Sequence, residues 1–176
     1  MRRAILICIV IAAAACQNRQ AKMAKHYIDS NRGIEFDYPS SWSAEELPQQ
    51  NVLLLSSPVQ EANWQTNIFL ELRMDFEPAA TREQRLAMLA DNLRREKAGF
   101  SLQSTRVFTH MSGLPAGELV YTHSSRGVPL TERELVLWLD GGKTLFVTGS
   151  AVTALWSKYD GQMKIVFDSV RRKAQR

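Results

Sequence analysis

The feature that most constrains the fold is a repeated alternation of apolar and polar residues along the chain. Successive side chains of a β-strand point to opposite faces, so this alternation predicts strands with one buried face. Predicted strands occupy residues 34–38, 68–76, 100–111, 117–123, 130–139 and 144–150, and a short apolar run of strand length adds residues 52–55. Turn-forming residues separate the last four, among them Asp140-Gly141, which is typical of tight hairpins because these turns need positive φ. We predict that these four strands form an antiparallel meander.

Two segments have helical periodicity instead. In residues 81–98, Thr81 and Gln84 stand at the spacing of a capping box, an apolar stripe follows, and Gly99 is a natural stop. In residues 153–170, the large apolar side chains fall on one face of a helix. Helices that flank a strand-rich middle predict an α+β domain, with an antiparallel sheet of about six to seven strands packed against helices.

The N-terminus has the pattern of an export signal. A basic start is followed by an apolar run from Ala4 to Ala15, which is too short to span a membrane and typical of a secretory signal peptide. The run ends in small residues before Cys16, which resembles the lipobox of bacterial lipoproteins, although Ala13 stands where that class most often has leucine. The resemblance implies cleavage after residue 15 and lipidation of Cys16. An ordinary signal peptide with a chance cysteine is the alternative.

If the lipoprotein interpretation holds, Gln17 implies sorting to the periplasmic face of the outer membrane. Removing residues 1–15 would leave 161 residues and lower the net charge from +4 to +2. Residues 16–25 then read as a lipidated tether, 26–173 as one domain, and 174–176 as a basic tail. With Cys8 removed and Cys16 capped, the domain would have no thiol for catalysis or zinc binding.

Several motifs, in their order along the chain, resemble those of the PsbP-like superfamily, including its DcrB-like bacterial lipoproteins. They are Phe36-Asp37-Tyr38-Pro39-Ser40-Ser41-Trp42, Asn67-Ile68, Gly113-Leu114-Pro115-Ala116-Gly117-Glu118, and Tyr159 with Phe167-Asp168-Ser169-Val170. The resemblance implies a PsbP-like sandwich of an antiparallel sheet between helices, and a binding or assembly role without catalysis. It transfers no site, because functions differ among the branches.

Patterns that would indicate catalysis or metal binding are missing from the sequence. His26, His110 and His123 have no second ligand at metal-binding spacing, and neither a nucleophile elbow nor a phosphate-binding glycine loop occurs. The pairs Glu71 with Asp75 and Glu132 with Glu134 share strand faces, as a glycosidase could use, but a solvated strand face explains them more simply. We therefore expect no catalytic residues, no metal and no cofactor.

The remaining lead is an interaction with another protein. Trp64 stands between two predicted strands, where an exposed tryptophan would be an interface anchor, unless it folds back over the sheet edge. Nucleic acid is a poor partner for an exported chain of low charge.

We expect a lipid-anchored envelope protein that binds a protein partner in an assembly or accessory role. Alternatives are an immunity or adaptor protein of a toxin secretion system, or a carrier of a small apolar ligand. The oligomeric state stays open.

Overall fold

The computed structural model describes residues 24–74 and 80–174. Its strands and helices are β1 (Ala24–Asp29), β2 (Ile34–Pro39), β3 (Ser43–Leu47), β4 (Val52–Glu61), β5 (Trp64–Met74), α1 (Arg82–Glu96), β6 (Ser101–Thr109), β7 (Pro115–Ser125), β8 (Val128–Trp138), β9 (Lys143–Val152), α2 (Trp156–Ser169) and β10 (Arg171–Arg172). All seven predicted strands and both predicted helices are present, and β1, β3 and β10 are additional. The last predicted residues of β5, Asp75 and Phe76, lie outside the described residues.

The strands form two antiparallel sheets. The larger has seven strands in the order β3-β4-β5-β9-β8-β7-β6, and the smaller joins β1, β2 and β10. Neighbours from β6 to β9 are consecutive in the chain, which confirms the predicted meander. In the β8–β9 turn, Gly141 and Gly142 have φ of +71° and +69°, the conformation that the sequence predicted for this hairpin.

The main core lies between the seven-stranded sheet, α2 and the smaller sheet. Helix α2 contributes Met163, Val166 and Phe167, which are at most 4% exposed. Gly149 of β9 lets α2 approach closely, because a Cβ there would lie 2.8 Å from the sulfur of Met163. Trp42 closes one end of this core, and its Nε1–H donates to Oε1 of Gln162 at 2.8 Å. The α+β prediction is confirmed.

The opposite face of the seven-stranded sheet carries a smaller core under α1. Leu86, Ala90 and Leu93 of the helix pack there against apolar side chains of β7 and β8. The predicted capping box is confirmed: Thr81 Oγ1 accepts from the Gln84 N–H, and Gln84 Oε1 accepts from the Thr81 N–H. Helix α1 covers the β6–β7 side of this face.

The two ends of the described chain lie next to the predicted tether and the predicted basic tail. Strand β1 begins at Ala24 and pairs with β2, while Cys16 and the predicted signal peptide lie outside the described residues. Arg171 and Arg172 form β10, and they pair with Glu35 and Asp140. Among residues 24–74 and 80–174, no helix combines the length and apolarity that crossing a membrane requires.

Candidate functional site

The C-terminal end of α1 covers a cluster of buried and half-buried polar side chains. This polar cluster consists of Lys97, Tyr121, His123, Glu132 and Glu134. They come together because Tyr121 of β7 lies directly opposite Glu132 of β8, while Lys97 follows the last turn of α1. The chain there is held by the Ser124 N–H, which donates to the Ala98 carbonyl at 2.8 Å.

Glu132 is the centre of the polar cluster. Its Oε2 accepts from the Tyr121 hydroxyl at 2.6 Å and from Lys97 Nζ at 2.8 Å. Its Oε1 lies 3.1 Å from His123 Nε2. The second carboxylate, Glu134, lies 3.4 Å from the same Tyr121 hydroxyl. The Tyr121 hydroxyl thus lies near both carboxylates, each 6% exposed, and the Lys97 ammonium group bonds one of them.

The two carboxylates have opposite protonation behaviour. Burial pushes the pKa of Glu132 up, but hydrogen bonds from His123, Lys97 and Tyr121 and the charge of Lys97 outweigh it and hold that pKa at about 2. Burial and the negative charge of Glu132 raise the pKa of Glu134 to about 7. Burial, with both carboxylates nearby, also raises the pKa of Tyr121. Glu132 is therefore the ionised member, and Glu134 exchanges its proton near neutral pH.

The prediction that Glu132 and Glu134 face solvent was wrong. Strand β8 lies well inside the sheet and is covered on both faces, by α1 on one side and by α2 on the other. Neither face of the strand is therefore available to water. The other predicted pair differs: Glu71 keeps a 29% exposed side chain beside Arg73, and Asp75 lies outside the described residues.

The polar cluster is suited to holding α1 rather than to catalysis. Tyr121 is wholly buried and both carboxylates are enclosed between helix and sheet. Within residues 24–74 and 80–174, no group of three or more His, Cys, Asp or Glu side chains is arranged to hold a metal ion. The ionised Glu132 and Lys97 instead form an ion pair, which ties the end of α1 to the sheet.

A groove of about 530 Å³ runs between α1 and the edge strand β6. We call this the α1–β6 groove. Its apolar lining comes from Leu86, Ala87, Ala90, Leu102 and Val107. Charged and polar side chains complete the lining, namely Glu83, Asp91, Arg94, Thr105 and Arg106. On the other helix, core side chains occupy the space between α2 and the sheet.

The three histidines are separated in the structure. His110 is buried, its Nε2 lies 2.7 Å from the Phe167 carbonyl, and its Nδ1 accepts from the Ser112 N–H. Nε2 therefore carries the hydrogen, and both ring nitrogens are engaged. His26 bonds Asp37 at the surface, and not Asp29, its neighbour in the sequence. His123 belongs to the polar cluster. None of the three joins a serine and a carboxylate in one arrangement.

Trp64 is not at the tip of its loop. The two-residue turn consists of Ala62 and Asn63, both with positive φ, and Trp64 begins β5 opposite Glu61. Its ring is half-buried, and its Nε1 is buried with no hydrogen-bond partner in the described part of the chain. Its role as an interface anchor stays a prediction.

Comparison with known proteins establishes the fold. No protein-family model and no curated protein matches the sequence. Among solved structures, LpqN of Mycobacterium tuberculosis, which is involved in cell envelope biogenesis, has a TM-score of 0.65 at 14% identity, over 84% of this chain and 90% of LpqN. Cyanobacterial PsbP from Synechocystis sp. PCC 6803 gives 0.64 at 14%, over 85% and 92%. PA94 from Pseudomonas aeruginosa, a protein of unknown function, gives 0.58 at 16%, over 80% and 91%. The chain therefore has the PsbP-like fold.

Proposed function

We propose that this chain is a lipid-anchored envelope protein that binds a protein partner and performs no catalysis. The observation that carries the proposal is the sequence before the domain: a basic start, an apolar run, and Cys16 where that run stops. Acylation at Cys16 would add more than one chain, as stable anchoring requires. The PsbP-like fold and its likeness to LpqN, which is involved in cell envelope biogenesis, support the same role.

The spacing between Cys16 and β1 would keep the domain near the membrane. Seven residues separate Cys16 from Ala24, where β1 begins. At no more than about 3.6 Å per residue, they span roughly 25 Å. A domain on such a short tether meets partners that lie at or near the same membrane surface. This favours a partner within the envelope over a freely diffusing one.

The anchor is tested by replacing Cys16 with serine and following the full chain in a diderm bacterium. We expect the Cys16→Ser chain to lose metabolic labelling with palmitate, to remain uncleaved at residue 15, and to lose the mature form from the outer-membrane fraction. Cys8→Ser is the matched control, because Cys8 lies inside the apolar run and should be lost with the signal. Lipid labelling that persists in Cys16→Ser, or that disappears in Cys8→Ser, would contradict the proposal.

Partner binding is tested separately with two half-buried tryptophans. Trp64 begins β5, and Trp156 begins α2, where it lies against the guanidinium of Arg133. Crosslinking in intact envelopes followed by affinity capture should recover a specific protein with the parent chain and with Trp156→Ala, but not with Trp64→Ala. Equal recovery with both variants would remove Trp64 from the binding surface, and recovery of no protein from the parent would contradict partner binding.

A further inference from the structure

Strand β6 is an open edge of the seven-stranded sheet. Among the described residues, its nine residues pair with β7 on one side only, so no described strand pairs with its outer row of backbone N–H and C=O groups. Proteins usually protect such edges with lysine, proline or short strands. β6 contains neither lysine nor proline and has one bulge, between Leu102 and Ser104. The opposite edge strand, β3, has five residues and carries Glu45 and Glu46.

We propose that two copies of this domain pair through their β6 strands, with the α1 helix of each filling the α1–β6 groove of the other. The pairing would extend the sheet across a two-fold axis, and it would cover the edge and the groove together. The proposal stands on the domain alone and does not depend on the lipid anchor.

The distance between the two helices fits this arrangement. The backbone of helix α1 lies over both β6 and β7. An axis midway between these two strands would lie about half a strand spacing inside β6. Strands in a sheet are about 4.8 Å apart. The two-fold axis would lie half a spacing outside β6, which places the two α1 axes about 10 Å apart. Packed helices are normally about 8–10 Å apart. The groove is the space that the second helix would occupy.

The seam of α1 that lines the groove is self-complementary in the antiparallel direction. Glu83, Ala87, Ala90 and Arg94 recur at intervals of four, three and four residues, and all four line the groove. A two-fold axis midway between residues 88 and 89 places Ala87 opposite Ala90 of the second copy, and Glu83 opposite Arg94. Small residues thus meet where the helices approach most closely. At the ends, Glu83 meets Arg94, which also pairs with Asp91 of its own helix.

The sequence of β6 is compatible with the same two-fold axis. Antiparallel pairing about Thr105 would place Arg106 opposite Ser104 of the second copy, so the two Arg106 side chains would not meet. Thr105 lines the groove together with Ala87 and Asp91, so pairing about Thr105 would bring the second copy to the same groove as the helix seam. Arg106 already bonds Glu118 within its own chain at 3.0 Å, which neutralises its charge beside the edge.

Disulfide formation in the full chain tests the pairing. Cys8 and Cys16 are the only natural cysteines, so the parent chain supplies the background. Opposed residues of an antiparallel pair have Cα atoms about 4.5–5.5 Å apart, within disulfide range. We expect Thr105→Cys to form a covalent dimer under mild oxidation in envelopes. Ser43→Cys, on the exposed opposite edge strand, should stay at background.

Light scattering of the detergent-solubilised chain provides the second measurement. Ala87→Arg places a large charged side chain in the seam and should reduce the mass from two protomers to one. Met88→Arg is its control, because Met88 is exposed on the same helix but does not line the groove. Both sites are exposed, so neither change should unfold the domain. A single-protomer mass for the parent, a dimer that survives Ala87→Arg, or a Thr105→Cys crosslink to a different protein would each overturn self-pairing.

Discussion

The two faces of the seven-stranded sheet are covered by different kinds of side chain. On the α2 face, apolar side chains from helix and sheet fill the space, and the smaller sheet closes it. On the α1 face, a smaller apolar core adjoins the polar cluster, and a groove lies open at its edge. Burying ionised groups costs free energy that apolar packing does not. We therefore expect the α2 face to act as the scaffold, and the α1 face to respond to pH and, through the proposed pairing, to contacts.

The largest effect is expected when the centre of the polar cluster is neutralised. Glu132→Gln removes the charge that pairs with Lys97, and leaves that ammonium group partly buried without its anion. We expect the free energy of unfolding at pH 7 to fall by about 3 kcal/mol, since breaking a buried ion pair from one side is strongly destabilising. Urea denaturation measures it.

Glu71→Gln is the matched control for that change. Glu71 is also a strand carboxylate with a basic partner, but it pairs with Arg73 at the surface. An exposed pair of this kind contributes about 1 kcal/mol or less. Similar losses in Glu132→Gln and Glu71→Gln would show that the polar cluster is no more than a surface ion pair, and the contrast between the two faces would then fail.

The next effect is expected in the pH dependence of the free energy of unfolding, and it comes from Glu134 on the α1 face. Because the pKa of Glu134 is raised to about 7 from an ordinary 4.5, the folded protein holds a proton that the unfolded chain releases. Stability from this group is therefore present below about pH 4.5 and is lost as pH rises through 7, by on the order of 3 kcal/mol. Glu134→Gln should abolish this part of the decline between pH 5 and 8. A decline of equal size in the variant, measured by denaturation across that range, would exclude Glu134 as its source.

A smaller change in the free energy of unfolding is expected on the α2 face, where its size depends on steric fit. Gly149→Ala introduces a Cβ 2.8 Å from the Met163 sulfur and 3.1 Å from the Phe167 ring, so it should cost about 1–3 kcal/mol. Gly161→Ala, in the middle of α2 with no atom near the new Cβ, should be neutral or stabilise by up to about 1 kcal/mol. Neither change should alter the pH dependence. If Gly149→Ala is tolerated as well as Gly161→Ala, the α2 core is looser than its packing indicates.

Local sequence signals predicted most of the scaffold. Alternation, the Asp140-Gly141 turn and the Thr81 capping box depend on neighbouring residues, so they can be read without knowing the fold. The two helical stripes likewise identified the side chains that pack on the sheet, among them Met163 and Phe167. Strands β1, β3 and β10 were not predicted, because each is short and largely polar on its exposed face.

The polar cluster could not be predicted in the same way. Its members come from the end of α1, β7 and β8, and their meeting depends on strand order and register. One signal was available in the sequence: apolar residues run without alternation from Leu135 to Trp138, which is typical of a strand covered on both faces. Glu132 and Glu134 precede that run in the same strand, so their burial follows once both faces of β8 are assigned to cores. The α1–β6 groove likewise depends on which strand forms the edge.

Hydrogen exchange of the detergent-solubilised full chain at several protein concentrations tests the central claim most directly. The claim is that the molecule makes its contacts on the α1 side of the sheet while the α2 side serves as its fixed scaffold. Raising the concentration at constant pH should slow exchange of amides in β6 and α1, and should leave those of α2 and β10 unchanged. Protection that rises instead in α2 or β10, or exchange in β6 that is independent of concentration, would contradict the account.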